Sequence, residues 1–183
     1  MTKLAILNIV HDTTVDGPGF RTAIYAAGCV HQCPGCHNPQ SWDMDNGSLY
    51  SIDALLEIVG ENEFSNVTFT GGDPLMQVDG FSEFARRIKR ETNKSIWCYT
   101  GFLYEQIVRS SRLSRILPYL DVLVDGRYMQ ALRDEDLQFR GSRNQRIIDV
   151  RESLAKNKVV APNDDCLVDI FHLLLPLPLI MHR

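Results

Sequence analysis

Cys29, Cys33 and Cys36 stand in the run GCVHQCPGCHNPQSW, spaced C-x3-C-x2-C. Thiolates this close in one loop can converge on a single metal centre, and iron–sulfur clusters are held by cysteine thiolate. A cubane of four irons bound by three cysteines leaves one iron without a protein ligand. An open coordination position is where a substrate or cofactor meets a metal. The spacing therefore points to a reactive cluster rather than a closed structural site. Other readings of the same residues stay open at this level. A zinc site would need His31 or His37 as fourth ligand, although zinc ribbons usually pair two CxxC knuckles and the chain has no second one. Cys33-Pro34-Gly35-Cys36 also spells a CxxC dithiol of the redox type. A disulfide framework fits least, because the five cysteines are an odd number and nothing suggests export.

The elements that must position this loop alternate between strand and helix. Phe20 to Ala27 (FRTAIYAA) is an apolar strand leading directly into it. Residues 51–63 carry Ile52, Leu55, Leu56 and Val59 at helical spacing, with Ser51 as cap. NVTFT (66–70) is a short β-branched strand. Residues 79–92 form an amphipathic helix, with Phe81, Phe84, Ala85 and Ile88 on one face. Arg86, Arg87, Lys89 and Arg90 crowd its other face, a solvated surface or a means of steering an acidic partner. Strand SIWCYT (95–100), helix 104–113, strand 120–124 and strand 145–150 follow. Strands alternating with helices imply βαβ units, right-handed crossovers and a mostly parallel sheet. In such folds chemistry gathers at the C-terminal ends of the strands. Cys29, Gly71-Gly72-Asp73-Pro74, Thr100-Gly101 and Asp125-Gly126-Arg127 all fall there.

Composition bounds the rest. With 183 residues, one domain is the prior. The net charge of −4 supplies no basic field for nucleic acid. MTKLAILNIV reads as a first strand rather than a signal peptide, since Asn8 interrupts it and His11-Asp12 follow. No run is long and apolar enough to span a membrane, and reduced cysteines without a targeting segment place the chain in the cytoplasm. The main unit is expected over 1–160. The tail from 161 to 183 is apolar, but Pro176 and Pro178 forbid a continuous helix. It reads as a packing or dimer-contact segment. Cys98 lies mid-strand as a core thiol, and Cys166 has no evident partner. Arg21 reads as structural.

A C-x3-C-x2-C loop after a strand, followed by a Gly-Gly-acidic-Pro turn, resembles the radical S-adenosylmethionine (SAM) superfamily. DGPGFRT (16–22), the cysteine run (28–42), TGGDPL (70–75), YTGF (99–102), DVLVDGRY (121–128) and FRGSRNQRIIDV (139–150) are more narrowly similar to the activating enzymes of anaerobic ribonucleoside-triphosphate reductases. The likeness runs from about Ile6 to Val150. It departs from the family pattern at Arg143, where small residues commonly precede Asn-Gln, and beyond about Val160.

The resemblance implies an α/β fold, an incomplete parallel β/α barrel of the radical SAM type. It implies a 4Fe-4S cluster on Cys29, Cys33 and Cys36, with SAM chelating the fourth iron through its amino and carboxylate groups. It also implies one-electron cleavage of SAM to methionine and a 5′-deoxyadenosyl radical, which takes hydrogen from a glycine of the reductase. Reduced flavodoxin is the implied electron donor. Residue chemistry suggests who would touch SAM. Gly71 and Gly72 let backbone approach a ligand closely, and Asp73 completes their turn. Gly35 and His37 flank Cys36. Thr100 and Asp125 stand at strand ends, where Asp125 reads either as a ligand contact or as a turn aspartate beside a surface Arg127. Activation of another glycyl-radical enzyme, small-molecule chemistry and a non-catalytic iron–sulfur electron-transfer module are the alternatives.

Overall fold

The computed structural model describes residues 2–162. The tail from 163, including Cys166 and both tail prolines, lies outside the described residues. The strands are β1 (Lys3–Thr13), β2 (Arg21–Ala26), β3 (Ser48–Ser51), β4 (Asn66–Gly71), β5 (Ile96–Tyr99), β6 (Val122–Asp125) and β7 (Arg146–Asp149). The helices are α1 (Ile52–Gly60), α2 (Val78–Glu91), α3 (Tyr104–Arg109) and α4 (Val150–Lys156). They build one seven-stranded sheet in the order β3-β1-β2-β4-β5-β6-β7.

The centre of that sheet, β2-β4-β5-β6, is parallel. Its margins are not: β1 runs antiparallel to β2 and β3, and β7 antiparallel to β6. The expected mostly parallel sheet is thus corrected to a mixed one. The reason is chain length. Residues 14–20 link β1 to β2, too few for the dozen or more that a parallel crossover needs. Helical crossovers carrying α1, α2 and α3 lie between the central strands and satisfy that requirement.

The two faces of the sheet differ in character. One carries Ile24, Phe69, Cys98 and Leu123 into a core with Leu55, Val59, Phe81, Phe84, Ile88 and Ile107 from the helices. Phe69 stacks against both Phe81 and Phe84, at 5.0 and 5.4 Å between ring centres. Each such buried side chain contributes about 1.5–3 kcal/mol of transfer free energy. Ser51 caps α1, its hydroxyl accepting the Ala54 N–H. The basic face of α2 is neutralised locally. Arg86 pairs with Glu83, Arg87 with Glu91 and Asp53, Lys89 with Asp121, and Arg90 with Glu91. Helix α3 stops at Arg109, and residues 113–119 continue as a 3-10 segment containing Pro118.

The opposite face is lined by polar and aromatic side chains. At its base Arg21 is 1% exposed. Its guanidinium donates to Thr68 Oγ1 (2.6 Å), Val67 O (2.8 Å) and Pro18 O (3.1 Å), and lies over the Trp97 ring. It therefore ties β2, β4 and the DGPG loop together, and a buried ion held by several acceptors in this way avoids most of its desolvation cost. Above Arg21 the same face opens into a cavity. Among the described residues no helix is long and apolar enough to cross a membrane.

Candidate metal centre

The cysteine loop leaves the C-terminal end of β2 and is pinned at its start by backbone bonds. Gly28 N–H donates to Ser41 O (2.8 Å), Cys29 N–H to Trp42 O (3.1 Å) and Cys36 N–H to Cys33 O (3.0 Å). The turn after β4 bonds into it, with Gly72 N–H on Ala26 O and Asp73 N–H on Gly28 O. The two glycines are required by this close approach. A Cβ at Gly71, whose φ is +95°, would stand 2.7 Å from Ala26 N, and one at Gly72 would stand 2.6 Å from Gly28 O. The missing side chains thus make room for the loop's own backbone, while both residues also line the cavity.

That cavity measures about 530 Å³. Cys29, Cys33 and Cys36 all line it, with His31, His37, Thr70, Gly71, Gly72 and Thr100. Among the described residues no three His, Cys, Asp or Glu side chains close tightly around one ion. Three cysteines lining one cavity supply the thiolate donors that an iron–sulfur cluster takes. Two of the sulfurs meet backbone N–H groups, and hydrogen bonds to sulfur tune cluster potentials. Asn38 N–H donates to Cys36 Sγ at 3.4 Å. Burial pushes the Cys29 thiol up, opposed by the N–H groups of His31 and Gln32 and reinforced by the Asp73 charge. The donor set and the room beside it fit an iron–sulfur group. Trp42 Nε1 and Arg140 Nε, on two other lining residues, are buried donors without a partner among the described residues. Buried donors seldom stay unpaired, so they suit a polar ligand.

The remaining expected residues are placed as follows. His37 lines the cavity with its ring against Tyr128, 5.2 Å between centres. Gly35, at φ +74°, faces the Gln130 side chain rather than the cavity. Thr100 lines the cavity and its hydroxyl donates to Asp73. Asp73 is fully buried beneath the cavity wall and accepts from Leu75 N, Thr100 Oγ1, Gly101 N and His31 Nε2. Asp125 is not brought to the cavity. It is fully buried, accepting from Tyr104 N (2.7 Å) and from Arg146 Nε and Nη2 (2.9 and 2.5 Å). In this structure Asp125 forms an internal ion pair with Arg146 on the antiparallel β7. Arg127 lines the cavity and donates to the His31 carbonyl.

The sequence reading missed a pair on the far wall. Tyr25 OH donates to Asp16 Oδ2 at 3.1 Å, and both residues line the cavity. Burial raises the Asp16 carboxyl, opposed by bonds from Tyr25 and Thr13 and by the Arg21 charge. The Tyr25 phenol is pushed up to about 12, first by burial and then by the Asp16 charge. The signal available was a hydroxyl-bearing aromatic on the strand that follows an acid in a Gly-Pro-Gly loop.

Known proteins are similar to most of this chain. A family model described as a 4Fe-4S single cluster domain covers residues 15–148. The anaerobic ribonucleoside-triphosphate reductase-activating protein of Haemophilus influenzae is 36% identical over 139 residues, covering 72% of this chain and 88% of that protein. The proteins of the same name from Enterobacteria phage T4 and Escherichia coli K12 are 35% and 32% identical. These alignments cover 73% and 72% of this chain and 86% and 89% of theirs. At that identity and coverage, with three thiols facing one cavity, the chain belongs to the family of anaerobic ribonucleoside-triphosphate reductase-activating proteins and contains a 4Fe-4S single cluster domain.

Proposed function

We propose that this protein activates an anaerobic ribonucleoside-triphosphate reductase by radical SAM chemistry, on a fold that is an incomplete β/α barrel. The observation that carries the reading is the convergence of Cys29, Cys33 and Cys36 on one open cavity beside the backbone of Gly71 and Gly72. Cys29, Cys33 and Cys36 would hold a 4Fe-4S cluster, and three ligands leave one iron for the amino and carboxylate groups of SAM. When bound, the reduced cluster would supply one electron to the SAM sulfonium, breaking its bond to the 5′ carbon to give methionine and a 5′-deoxyadenosyl radical for hydrogen abstraction from a glycine of the reductase. Reduced flavodoxin is the proposed electron donor and the cytoplasm the proposed location.

The protein's own residues bind, orient and exclude water, while cofactor carries the bond chemistry. Backbone at Gly71 and Gly72 offers hydrogen-bonding groups to the amino-acid end of SAM. Trp42 Nε1 and Arg140 Nε are buried donors on residues that line the cavity. Tyr25, Tyr99 and Phe139 wall the far side, shielding a reactive carbon radical from solvent. Hydrogen-atom abstraction needs no general base.

The test is anaerobic reconstitution with iron and sulfide, reduction, and electron paramagnetic resonance with and without SAM, beside a Cys36→Ala control. A SAM-dependent change in the reduced-cluster signal, with 5′-deoxyadenosine formed only by the unsubstituted protein, supports the proposal. A cluster indifferent to SAM would make the protein an electron-transfer module instead.

A further inference from the structure

His31 sits between Cys29 and Cys33, yet its ring is turned into the protein. Its side chain is 11% exposed. Nε2 meets Asp73 Oδ2 at 2.8 Å, and because a carboxylate only accepts, Nε2 carries the proton in either charge state of the ring. The ring rests in a socket made by the YTGF segment. A Cβ at Gly101 would overlap it, and Phe102 meets it edge-on at 4.6 Å between ring centres. The backbone carbonyl of His31 accepts from Arg127, which follows β6. Asp73 in turn holds Thr100 Oγ1 (2.9 Å) and Gly101 N (3.0 Å) from the end of β5. One side chain therefore joins the cysteine loop to the ends of β4 and β5, and its backbone joins the loop to the end of β6.

We propose that His31 is a positioning residue, a latch that fixes the cysteine loop against Asp73 and so sets the distance between the cluster's open side and the Gly71-Gly72 backbone. The inference deepens the cluster-and-SAM reading and rests on it. The latch holds no iron through Nε2, which is committed to Asp73. Its consequence is selective. The thiols can still load a cluster without His31, but the cluster and the glycine backbone are no longer held in register, so SAM must reorganise the loop as it binds. A preorganised site avoids that cost.

The experiment compares the unsubstituted protein with His31→Ala, His31→Gln and Gly101→Ala after anaerobic reconstitution. Iron per chain is measured first, then the SAM concentration that half-converts the reduced-cluster resonance. His31→Ala is expected to load iron normally and to need about tenfold more SAM, the effect of one lost hydrogen bond to a charged group. Gly101→Ala, which displaces an intact His31, is expected to do the same. His31→Gln, whose amide N–H can also reach Asp73, is expected to recover most of the loss. Unchanged half-conversion in both His31→Ala and Gly101→Ala overturns the latch. Loss of iron in both His31 variants also overturns it, because the side chain would then be needed to hold the cluster itself. An unsubstituted protein that loads iron but never responds to SAM overturns the cavity reading, and the latch with it. Should Gly101→Ala fail to fold, the two His31 variants decide alone.

Discussion

Asp73 and Asp125 occupy matching places. Asp125 closes β6 and Asp73 stands two residues beyond β4, both at the C-terminal ends of central parallel strands, and each is fully buried. Their partners differ. Asp73 faces four donors from the cysteine loop, its own turn and the end of β5. Asp125 faces Arg146, itself shared with Glu105 at 2.8 Å, and the first N–H of α3. A carboxylate at a strand end is thus no guide by itself to ligand binding. Asp73 organises the site and Asp125 anchors a helix and an edge strand.

Substitutions can break this contrast. Asp73→Ala leaves four donors without their acceptor, and is expected to cost about 3–5 kcal/mol in urea denaturation and to lower iron loading as well. Arg21→Met extends the comparison to a buried cation at the opposite end of the strands. It strips donors from Thr68 Oγ1, Val67 O and Pro18 O, with an expected loss of about 2–4 kcal/mol. Asp125→Asn is expected to cost less, about 1–2 kcal/mol, because Arg146 keeps Glu105 and reaches water. Iron loading should stay at the unsubstituted level. Equal iron loss in the Asp73 and Asp125 variants would erase the distinction drawn between them.

The smallest expected effect is read by pH. The folded Tyr25 phenol is held at about 12, above its ordinary 10.0. Between those values the unfolded chain releases the proton while the folded chain keeps it. Its contribution to stability is therefore complete below pH 10 and is lost as pH rises toward 12. Asp16→Asn removes the neighbouring charge and should narrow that window, while burial keeps it open. Ultraviolet titration of tyrosinate checks the shift, and an unchanged Tyr25 titration would remove Asp16 from the far wall's electrostatics.

Much of the site was legible because its signals are local. The three cysteines, the glycine pair and Thr100 are named by short spacing and by their places after strands. What the glycines make room for was not, since the backbone that fills the missing Cβ space belongs to residues 26 and 28, more than forty positions away. The Asp125–Arg146 pair escaped for the same reason, since it depends on β7 running antiparallel. Strand direction had one readable cue, the short link from β1 to β2, and it bears on only one margin. The edge strand β3, SLYS, is too short and too polar to announce itself; its register opposite Leu4 and Ala5 is set by β1. His31 entered as a possible metal ligand, and only the fold reveals that its ring points toward Asp73.

The central claim is that the cysteine cavity generates a radical for delivery to a reductase. The direct measurement mixes the reconstituted, reduced protein with SAM and an anaerobic ribonucleoside-triphosphate reductase, then reads the reductase by electron paramagnetic resonance. The account predicts a glycyl radical on the reductase that requires SAM and disappears with Cys29→Ala, Cys33→Ala or Cys36→Ala but survives Cys98→Ala. A glycyl radical that persists in the loop-cysteine variants, or SAM cleavage that leaves the reductase without one, would contradict it.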